Sequence, residues 1–485
     1  MRPNRIALAL VGLAVVIAAA ALVLGGADDR GGSATPAVAP DADVPERDPL
    51  VWTPERSAEY AERAAAGLAH PLYARTPDGI VDAAERTASW RPLVERAAEE
   101  HGVDADTLEA MMLLESAGRP EAQASDDLAG AVGLMQILAE TGANLLGLRV
   151  DLAESRRVTR RMTRAAKRGR SDRLERLRAE RRRVDERFDP AKSLDAAGRY
   201  LEIARGHLER VDLAVASYHM GIGNLQTALE RYGEGIVPYA QLYFDVSPAH
   251  ASDAWEFLAG LGDDSPTYLW RVEAAREIMR LHRHDREELA RRDALMTARN
   301  SAEVLLHPPD AVDPYDDAEE LGEAHDEGEI VPLPRDYLAR HGLRVDGQMG
   351  ELAPRVDAEP TLYRGLRREA LAVLAYLGAG VRRLSGSDRP LRVTSSVRDE
   401  RYQEALRGVE REATHGYSLH TTGYAFDVAR DYAGREQARA FQFLLDRLTA
   451  LNLIAWVREP GAIHVTVSAD ATELMAPMGV LPDED

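Results

Sequence analysis

The amino-acid sequence predicts a chain of two unlike folded parts, an all-α region followed by an α+β region. Three observations carry that expectation. From about residue 53 to residue 284, apolar side chains recur at helical spacing, punctuated by Gly and Pro. Between 310 and 329 half of the residues are Asp or Glu and none is Lys or Arg, a composition that solvates rather than packs. Beyond that stretch, strand-like runs at 391–396 and 463–467 mix with helical patterns at 361–384 and 402–406.

Taken in order, the chain opens with Arg2 and Arg5 ahead of an uninterrupted apolar run over residues 6–26. That is about the twenty residues needed to cross a bilayer, and the preceding positive charge keeps the N-terminus inside and sends the remainder outward. Residues 1–27 are therefore expected to be a signal anchor or a signal peptide, with the length of the run favouring an anchor and Gly25-Gly26-Ala27 offering a possible cut. Residues 28–50, rich in Gly, Ser, Ala, Pro and Asp, read as a disordered tether. The chain has no Cys, so its exported part uses no disulfides and its N-terminus carries no lipid-modified Cys. A formal net charge of −21 argues against generic nucleic-acid binding, and 45% hydrophobic residues suffice for two cores in 485 residues.

The first folded part is expected over 51–300. Within it Leu108, Met111, Met112 and Glu115 fall at i, i+3, i+4 and i+7, so one helical face carries three apolar side chains and then a carboxylate. Such a carboxyl group loses hydration of its charged form, its pKa rises, and it can hold a proton near neutrality for delivery to a leaving oxygen. Breaking a glycosidic bond needs that donor.

The segment that follows runs Glu115, Ser116, Pro120, Ala122, Ser125, Gly130, Ala131, Gly133, Leu134, Met135 and Gln136. In this order and nearly this spacing it resembles the soluble lytic transglycosylase family, whose domain is lysozyme-like. The loop from Ala124 to Ala129 is a few residues longer than the family's. Later, Leu213-Ala214-Val215-Ala216-Ser217-Tyr218-His219-Met220-Gly221 is similar to the family's second motif, with His219 where Asn is usual, and Tyr268 stands in its last motif. The resemblance implies that Glu115 acts first as acid and then as base, with no cofactor. It also implies that Ser116, Gly133, Met135, Gln136, Tyr218 and Tyr268 border the sugar, and that the substrate is peptidoglycan.

Residues 154–187 interrupt this region with fifteen Lys or Arg against six Asp or Glu. A helical hairpin turning at Gly169-Arg170-Ser171 is expected, either as a solvated face or as a basic surface for anionic wall polymers or lipid head groups.

After an acidic linker at 301–330, the second part covers 331–485. Ser418-Leu419-His420-Thr421-Thr422-Gly423-Tyr424-Ala425-Phe426-Asp427 sets an imidazole and a carboxylate seven residues apart, and His464 on a later strand could complete three ligands for zinc with one position open. The pattern resembles the zinc D-alanyl-D-alanine peptidases related to the hedgehog fold. That resemblance implies zinc on His420, Asp427 and His464 and a substrate-holding Arg398. The family's usual general base has no counterpart at Gly461 or Ala462, which leaves Glu459 as the nearest carboxylate.

Together these readings predict an envelope enzyme outside the cytoplasm, anchored or secreted, that cuts glycan strands and acts on or binds peptide stems. Two alternatives stand beside it. One is a lysozyme-like muramidase with Asp126 or Asp127 as a second carboxylate. The other is a wall-binding scaffold whose C-terminal part has no activity.

Overall fold

A computed structural model describes residues 37–39, 43–298, 301–409 and 416–482; the apolar run expected as an anchor lies outside them. No described helix is long and apolar enough to cross a membrane.

The helical region is built around the helix Ala105–Ser116. Asp104 caps it by accepting from the Thr107 amide at 2.9 Å, a contact worth about 1 kcal/mol. The helix ends where Ala117 turns left-handed at φ 53°. From Thr107 to Leu113 every residue is buried, so this is a central helix covered on all sides rather than an amphipathic one with a single apolar face. Tyr268–His284 packs along it, while Arg91–His101 and Pro190–Leu208 pack beside each other nearby.

The expected hairpin is present as Leu152–Ala166 and Ser171–Val184, joined by a turn in which Gly169 is left-handed. It has a small core of its own from Val158, Met162, Ala165 and Leu177. The expected boundary at 187 needs correction. Asp185 and Arg187 are fully buried beneath the neighbouring loop and belong to the domain proper, not to the solvated hairpin.

The second region carries a five-stranded sheet in the order Leu343–Val345, Leu391–Ser395, Ala425–Ala429, Ala462–Val467, Ile454–Arg458. The first pair is parallel and the rest are antiparallel. Phe426, Val428, Ile463 and Val465 join the main core with the helices Arg368–Ser385 and Arg435–Ala450. Alternation then turns Asp427, His464 and Thr466 to the opposite face.

The acidic stretch departs from the expected linker. Ala318–Asp326 is a helix capped by Asp317, with Leu321 and Ala324 buried, and its early acidic residues suit the positive end of a helix. Tyr315 is buried and its amide donates to the Thr421 carbonyl at 2.7 Å, tying this stretch to the loop that bears His420. The expected tether departs likewise where it is described. Val38 bridges to Val480, Asp48 accepts from the Tyr376 hydroxyl at 3.0 Å, and Leu50 is buried.

Helical region and sheet region pack directly on one another. The helix Ser57–Gly67 lies against Arg435–Ala450, so close that a Cβ on Gly67 would collide with the Thr449 carbonyl oxygen. Arg447 donates to the carbonyls of Phe244 and Val246, and Arg56 and Arg63 both pair with Glu473.

Candidate functional sites

Glu115 sits in the last turn of the central helix, where the packing of that helix carries it to the edge of the core. The Tyr268 hydroxyl donates to Glu115 Oε1 at 2.7 Å. Burial pushes the Glu115 carboxyl up to about 7; the Tyr268 hydrogen bond and the Arg271 guanidinium oppose that rise without cancelling it. Tyr268 itself is held well above the ordinary tyrosine value, first by burial and then by Glu115, so it remains a donor.

Around this pair the aromatic rings form a stack. Tyr218 lies nearly parallel to Tyr268 at 6.2 Å, Tyr200 meets Tyr218 edge-on at 5.1 Å, and His219 stacks on Tyr268 at 5.5 Å. His219 Nδ1 is 2.8 Å from the Ser265 hydroxyl, in the 3-10 turn that leads into the Tyr268 helix.

The loop after Glu115 is anchored through its backbone. Tyr218 Oη donates to the Met135 carbonyl at 2.8 Å, and Gln136, left-handed at φ 46°, folds its amide back on the Gly133 carbonyl at 2.9 Å. Gly133 has φ 83°, and a Cβ there would collide with the carbonyl oxygen of Arg187. Arg187 uses all five of its N–H groups here: two on Asp185, and three on the carbonyls of Leu128, Gly130 and Ile137 at 2.7 to 3.1 Å.

Of the residues expected to border the sugar, Tyr218, Tyr268 and Gln136 are brought around Glu115 or its loop. Ser116, Met135 and Gly133 pack beneath the loop. Ser116 is buried with its hydroxyl on the Met112 carbonyl, Met135 is wholly buried, and Gly133 is required by the approach of Arg187. Asp127 accepts from the Ala129 amide at 3.0 Å and pairs with Arg156 of the hairpin at 2.9 Å, contacts that hold its carboxyl below the usual range. Asp126 is exposed.

The sheet region forms a second site. Asp427 and His464 are direct partners on neighbouring strands, and the turn Leu419–Thr422 brings His420 over them. His464 Nδ1 lies 3.0 Å from Asp427 Oδ1 and 3.1 Å from His420 Nε2, while His420 Nε2 lies 3.3 Å from Asp427 Oδ1. Three ligating atoms thus converge on one point. His420 Nδ1 is 2.7 Å from the Ser396 carbonyl, which fixes the tautomer that leaves Nε2 with a free lone pair. Burial, then the Arg398 charge, lowers the His420 pKa. Asp427 also feels burial most strongly, yet its histidine partners bring its carboxyl well below the ordinary range. A neutral imidazole beside an ionised carboxylate is the state in which His420 and Asp427 would bind a divalent metal, so the donor set fits zinc.

A cavity of about 380 Å³ opens beside it, lined by Asp427, Arg398, Thr394, Asp346, Tyr363 and Glu459 among others. Arg398 is fixed by Ser395 Oγ at 2.6 Å and Gln403 Oε1 at 2.9 Å and reaches Asp427 Oδ2 at 3.4 Å. Glu459 stands on the turn between the last two strands. Sequence reasoning missed Arg187, Arg271, Tyr200, Ser395 and Gln403. Arg187 adjoins the helix-opening Phe188-Asp189-Pro190, which could have separated it from the basic run.

No curated protein matches the chain. The family described as the transglycosylase SLT domain matches residues 92–236, a stretch that includes Glu115, the loop to Gln136, the hairpin and Tyr218, while Tyr268 lies beyond it. At the level of that family, the match over residues 92–236 supports lytic transglycosylase chemistry for this part of the chain.

Proposed function

We propose that the protein is an exported cell-envelope enzyme that cleaves the MurNAc–GlcNAc bond of peptidoglycan by lytic transglycosylation. The observation that carries this reading is a carboxyl group held at about 7 by burial and hydrogen-bonded by Tyr268, within a stretch that matches the transglycosylase family. Protonated Glu115 gives its proton to the glycosidic oxygen as the bond from that oxygen to the muramic C1 breaks. The resulting carboxylate takes the proton of the muramic C6 hydroxyl, whose oxygen closes on C1 to form a 1,6-anhydro ring. The Tyr268 hydroxyl steadies the carboxylate while it is charged, and its preference for that form keeps the pKa from rising further. The rings of Tyr218 and His219, both stacked on Tyr268 beside Glu115, would offer aromatic surface to a sugar ring.

The C-terminal site is proposed to be zinc-dependent and to act on or bind peptide stems. His420 Nε2, Asp427 Oδ1 and His464 Nδ1 would hold the ion. When bound, zinc would lower the pKa of a water and polarise a peptide carbonyl. Arg398, braced by Ser395 and Gln403, would receive the stem's carboxylate through its planar fork, and Glu459, on the rim of the same cavity, would accept a proton at its carboxylate.

Digestion of purified peptidoglycan with the full chain tests the first part. Anhydro-muropeptides, lighter by one water, are expected; products with reducing ends alone would replace transglycosylation by hydrolysis. Metal analysis of the same protein tests the second. About one zinc per chain is expected, and His464→Ala should lose it. A wild-type chain without zinc overturns the metal reading, whereas zinc with no stem peptide cut makes the region a binding module.

A further inference from the structure

Five arginines of the hairpin 152–184 have a carboxylate partner: Arg156 with Asp127, Arg157 with Glu154, Arg161 with Glu180, Arg178 with Glu175 and Arg181 with Glu121. Those around the turn differ. Among the described residues, Arg164, Arg168, Arg170 and Arg173 have no carboxylate within ion-pair distance, and Arg164 spends only its Nε, on the Arg160 carbonyl at 3.2 Å. Those four, together with Arg161 and the small side chain of Ala165, line a cavity of about 360 Å³. Asp172, in the adjoining helical turn, does not line it.

We propose that this tip is a binding site for a phosphate-bearing anion. Four unmatched guanidinium groups around one hollow repel each other, and a protein with a net charge of −21 has many carboxylates with which it could have matched them, as it does for five other arginines of the hairpin. Each guanidinium presents a planar fork of N–H donors that fits two oxygens of a phosphate at once. The hollow is near the lower end of the ~300 to 1,000 Å³ typical of ligand sites, which suits one phosphodiester head group rather than a length of glycan. The geometry is held from below: Ala165 belongs to the hairpin's own core, and the turn is closed by the Arg170 amide on the Ala165 carbonyl at 3.0 Å. An anion held there would dock the transglycosylase region on a phosphate-rich surface by an element that shares no residue with the Glu115 site, whichever bond that site cleaves.

The test compares three forms of the full chain in low salt. One is the wild type. One carries Arg164→Gln, Arg168→Gln, Arg170→Gln and Arg173→Gln at the tip. The third, the base variant, removes four other charges, from arginines that have carboxylate partners, through Arg156→Gln, Arg157→Gln, Arg178→Gln and Arg182→Gln. Gln is a good helix former, so all three are expected to fold, as far-UV circular dichroism would check. Binding is measured to phosphatidylcholine vesicles with and without phosphatidylglycerol, and to soluble poly(glycerol phosphate). The tip variant is expected to lose affinity for the anionic probes on the order of 100-fold, and the base variant about fivefold, with the attraction fading as salt rises. Cleavage of short soluble glycans should be unchanged in the tip variant. Binding to the anionic vesicles alone identifies the source as a lipid head group, and equal binding to the polymer identifies the phosphodiester itself; both support the site. Equal losses in the two variants, or no preference of the wild type for either anionic probe, overturn it.

Discussion

Glu115 in the helical region and Asp427 in the sheet are both carboxylates withdrawn from water, and burial is the strongest influence on each. They nevertheless titrate in opposite directions. Glu115 meets a tyrosine hydroxyl and one guanidinium, which soften the rise and leave the group near 7. Asp427 meets two imidazoles within 3.0 to 3.3 Å, and these, His420 first, drive it well below its usual range. Burial alone therefore does not assign a carboxylate its task. The partners decide whether it stores a proton or keeps a negative charge.

The largest break in this comparison should come from Glu115→Gln. Loss of the proton carrier is expected to lower glycan cleavage by about 10³-fold or more, measured as released muropeptides. The same change should raise stability. A folded-state pKa of about 7, above the ordinary 4.5, means that the native protein binds a proton which the unfolded chain has released, so stability falls as pH rises between those values. Gln removes that penalty. Denaturant unfolding should show little gain at pH 4 and a gain of roughly 2 kcal/mol at pH 8. A variant destabilised at pH 8 would mean that Glu115 is not held as a neutral acid.

A smaller effect is expected from Tyr268→Phe. It keeps the ring that stacks on Tyr218 and His219 but removes the donor that favours the ionised form of Glu115. Activity should drop about tenfold, the worth of one hydrogen bond to a charged group, and the alkaline limb of the pH profile should move upward, because the proton is held to higher pH. An unmoved limb would separate Tyr268 from the titration of Glu115.

The two sites also differ in how far they could be read from the chain. Glu115 was legible because helical spacing and a long run of flanking residues agreed on one position. Its partner Tyr268, 153 residues away, followed from resemblance alone, since no local pattern brings it there. The role of Arg187 was hidden because its five bonds depend on where a distant loop folds. In the sheet, His464 was legible from alternation. The strand Ala425–Ala429 was not, because all five residues are buried and no period of two survives. Leu343–Val345 is too short to announce itself. The acidic stretch misled for a related reason: its composition is that of a linker, but Leu321 and Ala324 share one helical side and find a core.

The smallest effect should come from the carboxylates that would turn the first site into a two-carboxylate hydrolase. Asp127 is spent on the turn and on Arg156, a pair on the surface of the hairpin, and the charge that bears on Glu115 is the cation of Arg271. Asp127→Asn retains an oxygen for the Ala129 amide and gives up only an exposed ion pair, so stability should change by less than about 1 kcal/mol. Cleavage should remain within about threefold of the wild type, as it should for Asp126→Asn, whose carboxylate is exposed. The comparison with Asp427 sharpens what is at stake. If Glu115 works alone, as acid and then as base, no second carboxylate needs to keep its charge near it, and both Asn variants still make anhydro products. A hundredfold loss in either, with reducing ends among the remaining products, would show that an ionised partner is needed after all, and Glu115 would share its site as lysozyme-like enzymes do.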